Sequence, residues 1–303
     1  MIHLPAFLTA KTAAGLSPDT LRLYAQVLRR YRLHCAAGKL DAHGPVVLAG
    51  YLAQLRDRLK PSSVAAHYQV LHAYFGWLTK RGLTEANPLA DVPRPRVPRQ
   101  PHRHVTLTEF RRLFAGIQHG APEGHPATWL DHRDRAILVV LFTSGLRVME
   151  ACGMRTGDVD LANHLLTVRR GKGGNARVVP CAPSLTEPLV SYLYTRPPWP
   201  GGELWLGSDG RHGVAAALGD EGIRMMLHRR CKAAGMRYMN PHAFRHGFAM
   251  AWLNAGMHMS AVAAVMGHSS QAVTEAVYAH WQTESLSREY AQALRRLTGE
   301  DGR

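Results

Sequence analysis

The run LLTVRRGKGGNARVVP, residues 165–180, breaks the rhythm of the chain on either side of it. Leu165, Leu166 and Val168 make one short strand-like stretch and Arg177-Val-Val-Pro180 another. The turn GKGGN (171–175) between them is hairpin chemistry. Upstream, Thr106-Leu-Thr-Glu109 reads as a capping box that opens a helix to about Ile117. An apolar helix follows over about Asp131 to Thr143, Ser144-Gly145 breaks it, and Leu146 starts a further short helix. Downstream, helices return after residue 183 and dominate to the end, with Asn240-Pro241 as a cap-plus-proline start. The expected class is mostly α with a small antiparallel β-sheet.

The first ninety residues read as helices only. Ser17-Pro18 opens one that carries Leu21, Tyr24, Leu28 and Tyr31 on one face. Pro45 opens a second, with Leu48, Leu52, Leu55 and Leu59 in line. Ser62 opens a third, whose stripe of Val64, Tyr68, Leu71, Phe75 and Leu78 ends before Gly82. Such short stripes make bundle core rather than a long coiled coil. Then NPLADVPRPRVPRQP (87–101) fits neither helix nor central strand and reads as a stiff extended linker. With Arg94, Arg96 and Arg99 it serves as a spacer or as a basic strap along a phosphate backbone. The expected organisation is a helical domain at 1–88, a Pro/Arg-rich linker at 89–101 and a mixed domain at 102–303, without internal repeats.

The chain has 303 residues, with 37 Lys and Arg against 22 Asp and Glu, a net charge of +15. A surplus of this size repels itself in a compact state and serves a polyanionic partner. Residues 1–100 hold 14 basic and 5 acidic side chains, net +9, against 23 and 17, net +6, in the remainder, so the smaller part is the more basic per residue. Only 6 basic residues are Lys and 31 are Arg. Base composition accounts for part of that bias, and the phosphate-gripping fork of guanidinium for the rest. Cys35, Cys152, Cys181 and Cys231 form no C-x-x-C pair, which argues against disulfide scaffolding and a thiolate zinc site. The opening MIHLPAFLTAKTAAGLS lacks the cationic start and apolar core of a signal peptide, and no run of membrane-spanning length occurs, so a cytoplasmic chain without membrane contact is expected.

Five short segments carry candidate chemistry. In TSGLRVMEACGMRTGDVD (143–160), Arg147 follows a glycine break, and Glu150, three residues on, is placed to hold it. In RRGKGGNARVVP (169–180), Lys172 stands in the glycine-rich turn, which lacks the order of a phosphate-cradling P-loop. In NPHAFRHGFAMAWLNAG (240–256), His242 and Arg245 share a face near a helix start, apart from the apolar Phe244, Phe248, Ala251 and Trp252. VMGHSS (265–270) supplies His268 and EAVYAHW (275–281) supplies Tyr278. Each alone is weak, since helix-end arginines and turn lysines are ordinarily solvated and a tyrosine near a helix end is ordinarily core. Together they have a logic. Two arginines neutralise the non-bridging oxygens of a phosphodiester, a tyrosine oxygen attacks phosphorus, and a Lys or His protonates the departing sugar oxygen.

These five motifs, in this order over roughly residues 15–282, resemble those of phage-integrase-type tyrosine recombinases, the Xer and integrase enzymes. The resemblance implies an N-terminal helical core-binding (SAM-like) domain that clasps DNA from one side. It also implies a mixed α/β catalytic domain that clasps the other. It assigns Arg147 and Arg245 as phosphate clamps, Lys172 as the acid that protonates the leaving 5′-oxygen and His242 as an acid/base helper. His268 becomes a hydrogen-bond donor to phosphate, and Tyr278 the nucleophile that joins a DNA 3′-phosphate. No cofactor, metal or ATP is implied. The partners implied are double-stranded DNA and further copies of the chain, four on two DNA sites. Phe244 and Gly247 stand where family members often have Leu and Thr, and Met154 where Leu is frequent; these are packing positions. The segment SLSREYAQALRRL (285–297) reads as an amphipathic helix that packs on its own domain or docks on a neighbouring subunit. Two rival readings are a type IB topoisomerase-like enzyme and a catalytically silent DNA-binding or architectural protein of the same fold. The separate helical module speaks against the first and the full set of reactive residue types against the second. An RNA-binding module lacks an aromatic platform motif.

Overall fold

The computed structural model describes residues 3–98, 103–118, 128–169, 176–180, 186–208 and 214–267. The chain divides into two compact units, Met1–Gln100 and Pro101–Arg303.

The first unit holds four helices, α1 (Leu4–Ala13), α2 (Pro18–Gly38), α3 (Pro45–Arg56) and α4 (Pro61–Thr79). Each has a proline in its first two positions, where the missing N–H would have had no helical partner. Ser17 adds a side-chain cap, its Oγ accepting the Thr20 N–H at 3.3 Å. The third expected helix begins at Pro61 rather than Ser62, because the proline sets the start and no side chain caps it. Helix α1, for which no apolar stripe was read, is held by Leu4 and above all by Phe7. Phe7 is fully buried, stacked on Tyr24 at 5.8 Å and edge-on to Tyr74 and Trp77 at 5.2 and 5.6 Å. Leu28, Tyr31, Leu48, Leu71 and Phe75 complete a dry centre. Leu89 and Val92 join this core, and the Tyr68 hydroxyl donates to the Val92 carbonyl at 3.1 Å, so the start of the proline-rich stretch packs with the helices. Arg22, Arg29, Arg30 and Arg32 stay exposed along α2.

In the second unit, α5 (Leu107–Gln118) starts at the expected capping box, where the Glu109 carboxylate accepts the Thr106 N–H at 2.9 Å and Thr106 Oγ1 accepts the Glu109 N–H at 3.1 Å. Helix α6 (Trp129–Ser144) starts two residues earlier than expected, because the Asp131 carboxylate reaches back to the Thr128 N–H at 2.8 Å. Buried throughout from Ala136 to Ser144, α6 packs against α5, α7 (Val148–Cys152), α8 (Thr186–Thr195) and α10 (Pro241–Asn254).

Strands β2 (Leu165–Val168) and β3 (Arg177–Pro180) pair antiparallel with Leu166 opposite Val179, and β1 (Val159–Asp160) adds a third strand beyond the two expected. A second antiparallel pair, β4 (Leu206–Ser208) and β5 (Val214–Ala217), which the sequence did not mark, interrupts the helices that dominate after residue 183. Alanine-rich β5 has no strand propensity of its own, and pairing with β4 overrides it. Helices α9 (Asp220–Ala233) and α11 (Met259–Met266) complete the described unit. Among the described residues no helix is long and apolar enough to cross a membrane.

A charge network pins α9 to α6. Asp134 is fully buried. Its carboxylate accepts from Arg133 at 2.6 Å, Arg230 at 2.8 Å and Arg229 at 3.2 Å, while Arg230 also reaches Asp131 at 2.6 Å. Arg133 donates a further bond to the Leu206 carbonyl of β4 at 2.7 Å. Removing one partner of a buried pair strands the others, which costs about 3–5 kcal/mol. Asp134→Ala is therefore expected to lose stability on that scale, read as a fall in the urea midpoint. An unchanged midpoint would show that solvent reaches these arginines.

Candidate active site

The local geometry starts at two glycines. Gly145, at the end of α6, has φ +61°, and a Cβ there would meet Phe248 of α10 at 2.5 Å. Gly267, at the end of α11, has φ +64°, and a Cβ there would meet the Arg177 guanidinium at 2.8 Å. Both positions need glycine for backbone conformation and for space.

The Gly145 turn keeps residues 145–147 out of the helix. Arg147 sits at the N-cap of α7 with extended backbone (φ −71°, ψ 150°), not on the helix that was expected to start at Leu146. Glu150 does hold it, by reaching back as a capping carboxylate rather than by sharing a helical face. Its Oε2 accepts the Arg147 N–H at 2.8 Å and its Oε1 the Arg147 guanidinium at 2.8 Å. The same carboxylate takes both ends of the Arg177 fork, at 3.0 and 2.9 Å.

Arg245, one turn into α10, is 5% exposed and donates to the Gly145 carbonyl at 2.6 Å and the Met266 carbonyl at 2.8 Å. Arg177 donates through Nε to the Val265 carbonyl at 3.0 Å, and Arg147 through Nη2 to the Gly267 carbonyl at 3.2 Å. Three guanidiniums, from the N-cap of α7, from β3 and from α10, thus take three successive carbonyls at the C-terminal end of α11. A helix leaves its last carbonyls without helical partners and carries partial negative charge there, so cations are favoured. The three arginines and Glu150 sum to +2.

Burial alone would raise the Glu150 carboxyl, but the hydrogen bonds and charges of Arg177 and Arg147 outweigh it and hold it below the ordinary 4.5. Burial, with the charge of Asp220, pushes the Cys152 thiol up to about 12, so it is protonated at neutral pH.

Of the six expected residues, Arg147 and Arg245 meet through Gly145 and the end of α11. His242 lies on the first turn of α10, which the Asn240 side chain caps by accepting the Ala243 N–H at 2.9 Å. Its side chain is exposed while Arg245, on the next turn, is buried, so the two expected to share a face lie at different depths. Lys172, His268 and Tyr278 lie outside the described residues, as does the segment 285–297. Arg177 was read only as part of a strand. Its signal was the period of two, which puts it on the same side of β3 as buried Val179, where a charged group needs a partner.

The phage integrase family model matches residues 123–285, and the chain belongs to that family. It is 34% identical to the tyrosine recombinase XerA of Thermococcus kodakarensis, covering 94% of each chain, and 30% identical to XerC of Pelobacter propionicus, covering 97% of this chain and 95% of that one. Among solved structures, the Tn1549 transposon integrase in complex with a circular intermediate DNA superposes with a TM-score of 0.72 at 18% identity, over 95% of this chain and 99% of that one.

Because the folded Glu150 carboxyl titrates below its ordinary value, its contribution to stability is complete above that value and is lost as pH falls through the depressed one. Glu150→Gln is expected to cost about 3–5 kcal/mol at neutral pH, since it leaves two partly buried guanidiniums without their counter-charge. It should also flatten the acid limb of urea midpoint against pH. An acid limb as steep as that of the parent chain would mean that Glu150 is not ionised in the folded protein.

Proposed function

We propose that this chain is a site-specific DNA recombinase that cuts and rejoins double-stranded DNA through a 3′-phosphotyrosine. The observation that carries the reading is the convergence of Arg147 and Arg245 on the end of α11 with net positive charge to spare. A scissile phosphate placed against this cluster has its non-bridging oxygens facing fixed cations. Charge building on phosphorus is then stabilised without reorganisation.

In the proposed reaction the Tyr278 oxygen bonds to phosphorus as its phenolic proton leaves. The bond from phosphorus to the 5′-oxygen breaks, and Lys172 delivers a proton to that oxygen. His242 moves protons at the phenol, and His268 donates a hydrogen bond to the phosphate. The energy of the broken diester is kept in the phosphotyrosine, so a 5′-hydroxyl from a second strand can reverse the step with neither nucleotide nor metal ion. Four copies on two DNA sites would allow the exchange. The first unit, with its net +9 and the exposed arginines of α2, supplies a second grip on the duplex.

Two measurements test this. With a suicide duplex that traps the cleaved strand, the parent chain is expected to give a covalent protein–DNA band and Tyr278→Phe none, with DNA binding retained. A persistent band moves the nucleophile elsewhere. Arg147→Ala is expected to slow cleavage about 100-fold or more, the scale of a lost oxyanion donor, with far less effect on affinity. Equal losses in rate and affinity would make Arg147 an anchor only.

A further inference from the structure

We infer that Arg177 is a positioning residue of this centre: it fixes Arg147 through Glu150 and locks both to the end of α11, without touching the scissile phosphate. The inference rests on the proposed reading of the site and adds a residue outside the reactive set.

The contacts of Arg177 point into the protein. Both ends of its fork lie on the Glu150 carboxylate, its Nε is on the Val265 carbonyl, and 15% of its side chain is exposed. Each of its three nitrogens is therefore engaged in fixing a neighbour. Arg147 is different. Its guanidinium makes two bonds, to Glu150 and Gly267, and a quarter of its side chain is exposed, so three of its five N–H groups have no partner among the described residues.

Glu150 is the shared element. Arg147 holds Oε2 through its backbone N–H and Oε1 through Nη1. The Arg177 fork adds a second donor to each oxygen and ties the carboxylate to β3, which fixes the direction from which Arg147 Nη1 is held. The third bond gives the fork its reference point, because Val265 precedes the Met266 and Gly267 carbonyls that hold Arg245 and Arg147. Arg177 thereby sets the two clamp arginines relative to each other. Lysine cannot reproduce this: a single ammonium on a flexible stem cannot span a carboxylate and a carbonyl in one rigid plane.

The test uses the full chain and a suicide duplex under single-turnover conditions, with DNA affinity measured in parallel. Arg177→Ala is expected to slow adduct formation about 100-fold, the cost of a misplaced reacting group, while affinity stays close to the parent. Arg177→Lys should recover folding stability more than rate. Glu150→Gln combined with Arg177→Ala should be no slower than the slower single variant, since both act through one geometry. Arg169→Gln, which breaks an ion pair to Asp158 just ahead of β1, is the control and should keep the parent rate.

A duplex with sulfur at the bridging 5′ position has a leaving group that needs no proton. It should fail to restore Arg177→Ala. Restoration would overturn the inference, placing Arg177 in service of the Lys172 acid. A parent-like rate for folded Arg177→Ala would also overturn it, leaving a structural ion pair. A parent chain that forms no adduct at all would instead bring down the reading of the site, and this inference with it.

Discussion

Three guanidiniums gathered in one small region repel one another, and something must hold them. Here the holder is the end of α11. Gly267 turns back in the left-handed conformation and its N–H bonds the Ala264 carbonyl at 3.0 Å. That leaves the next three carbonyls, of Val265, Met266 and Gly267, to accept from Arg177, Arg245 and Arg147 in that order. A carbonyl satisfies a donor without cancelling its charge. Were these arginines held by three carboxylates, the cluster would be neutral and would have no pull on a phosphate.

The sequence separation of the parts shows what the surrounding fold contributes. Arg147 follows the end of α6, Arg177 opens β3 and Arg245 sits in α10, up to 98 residues apart by their numbering. Helix α6 packs against both α7 and α10. Its glycine-capped end supplies the Gly145 carbonyl to Arg245, and Phe248 of α10 packs where a Gly145 side chain would stand. Both helix ends that receive Arg245 are therefore glycine-capped, and both turn partial negative charge toward it. The fold positions the site by aiming helix ends.

What was legible in the sequence is mostly local. Ser17-Pro18, Thr106 with Glu109 and Asn240-Pro241 mark helix starts because a cap involves residues three apart. The hairpin strands were legible from their turn. Strands β4 and β5 were not, because Val214–Ala217 is strand only by pairing with Leu206–Ser208. Helix α1 was not, because its anchor Phe7 meets partners more than fifteen residues away. In the site, the pairing of Arg147 with Glu150 could be read from spacing, but its form as a cap could not. Arg177 needed the strand period to be taken seriously at a charged residue. The dependence of all three arginines on α11 is a tertiary fact with no local signal.

Among the described residues arginines are gathered in two ways, and the contrast says what each is for. Around Asp134, Arg133, Arg229 and Arg230 face Asp131 and Asp134, three positive charges against two negative, with Asp134 fully enclosed. Charge there is nearly balanced, and the network joins α6 to α9. At the end of α11, two of the three arginines share one carboxylate, and all three donate to neutral carbonyls. The first arrangement spends its charge internally. The second keeps a surplus of two at a place where Arg147 is still partly open to solvent. Holding like charges together without neutralising them is unfavourable until an anion arrives, so the electrostatic gain on binding one is built in beforehand.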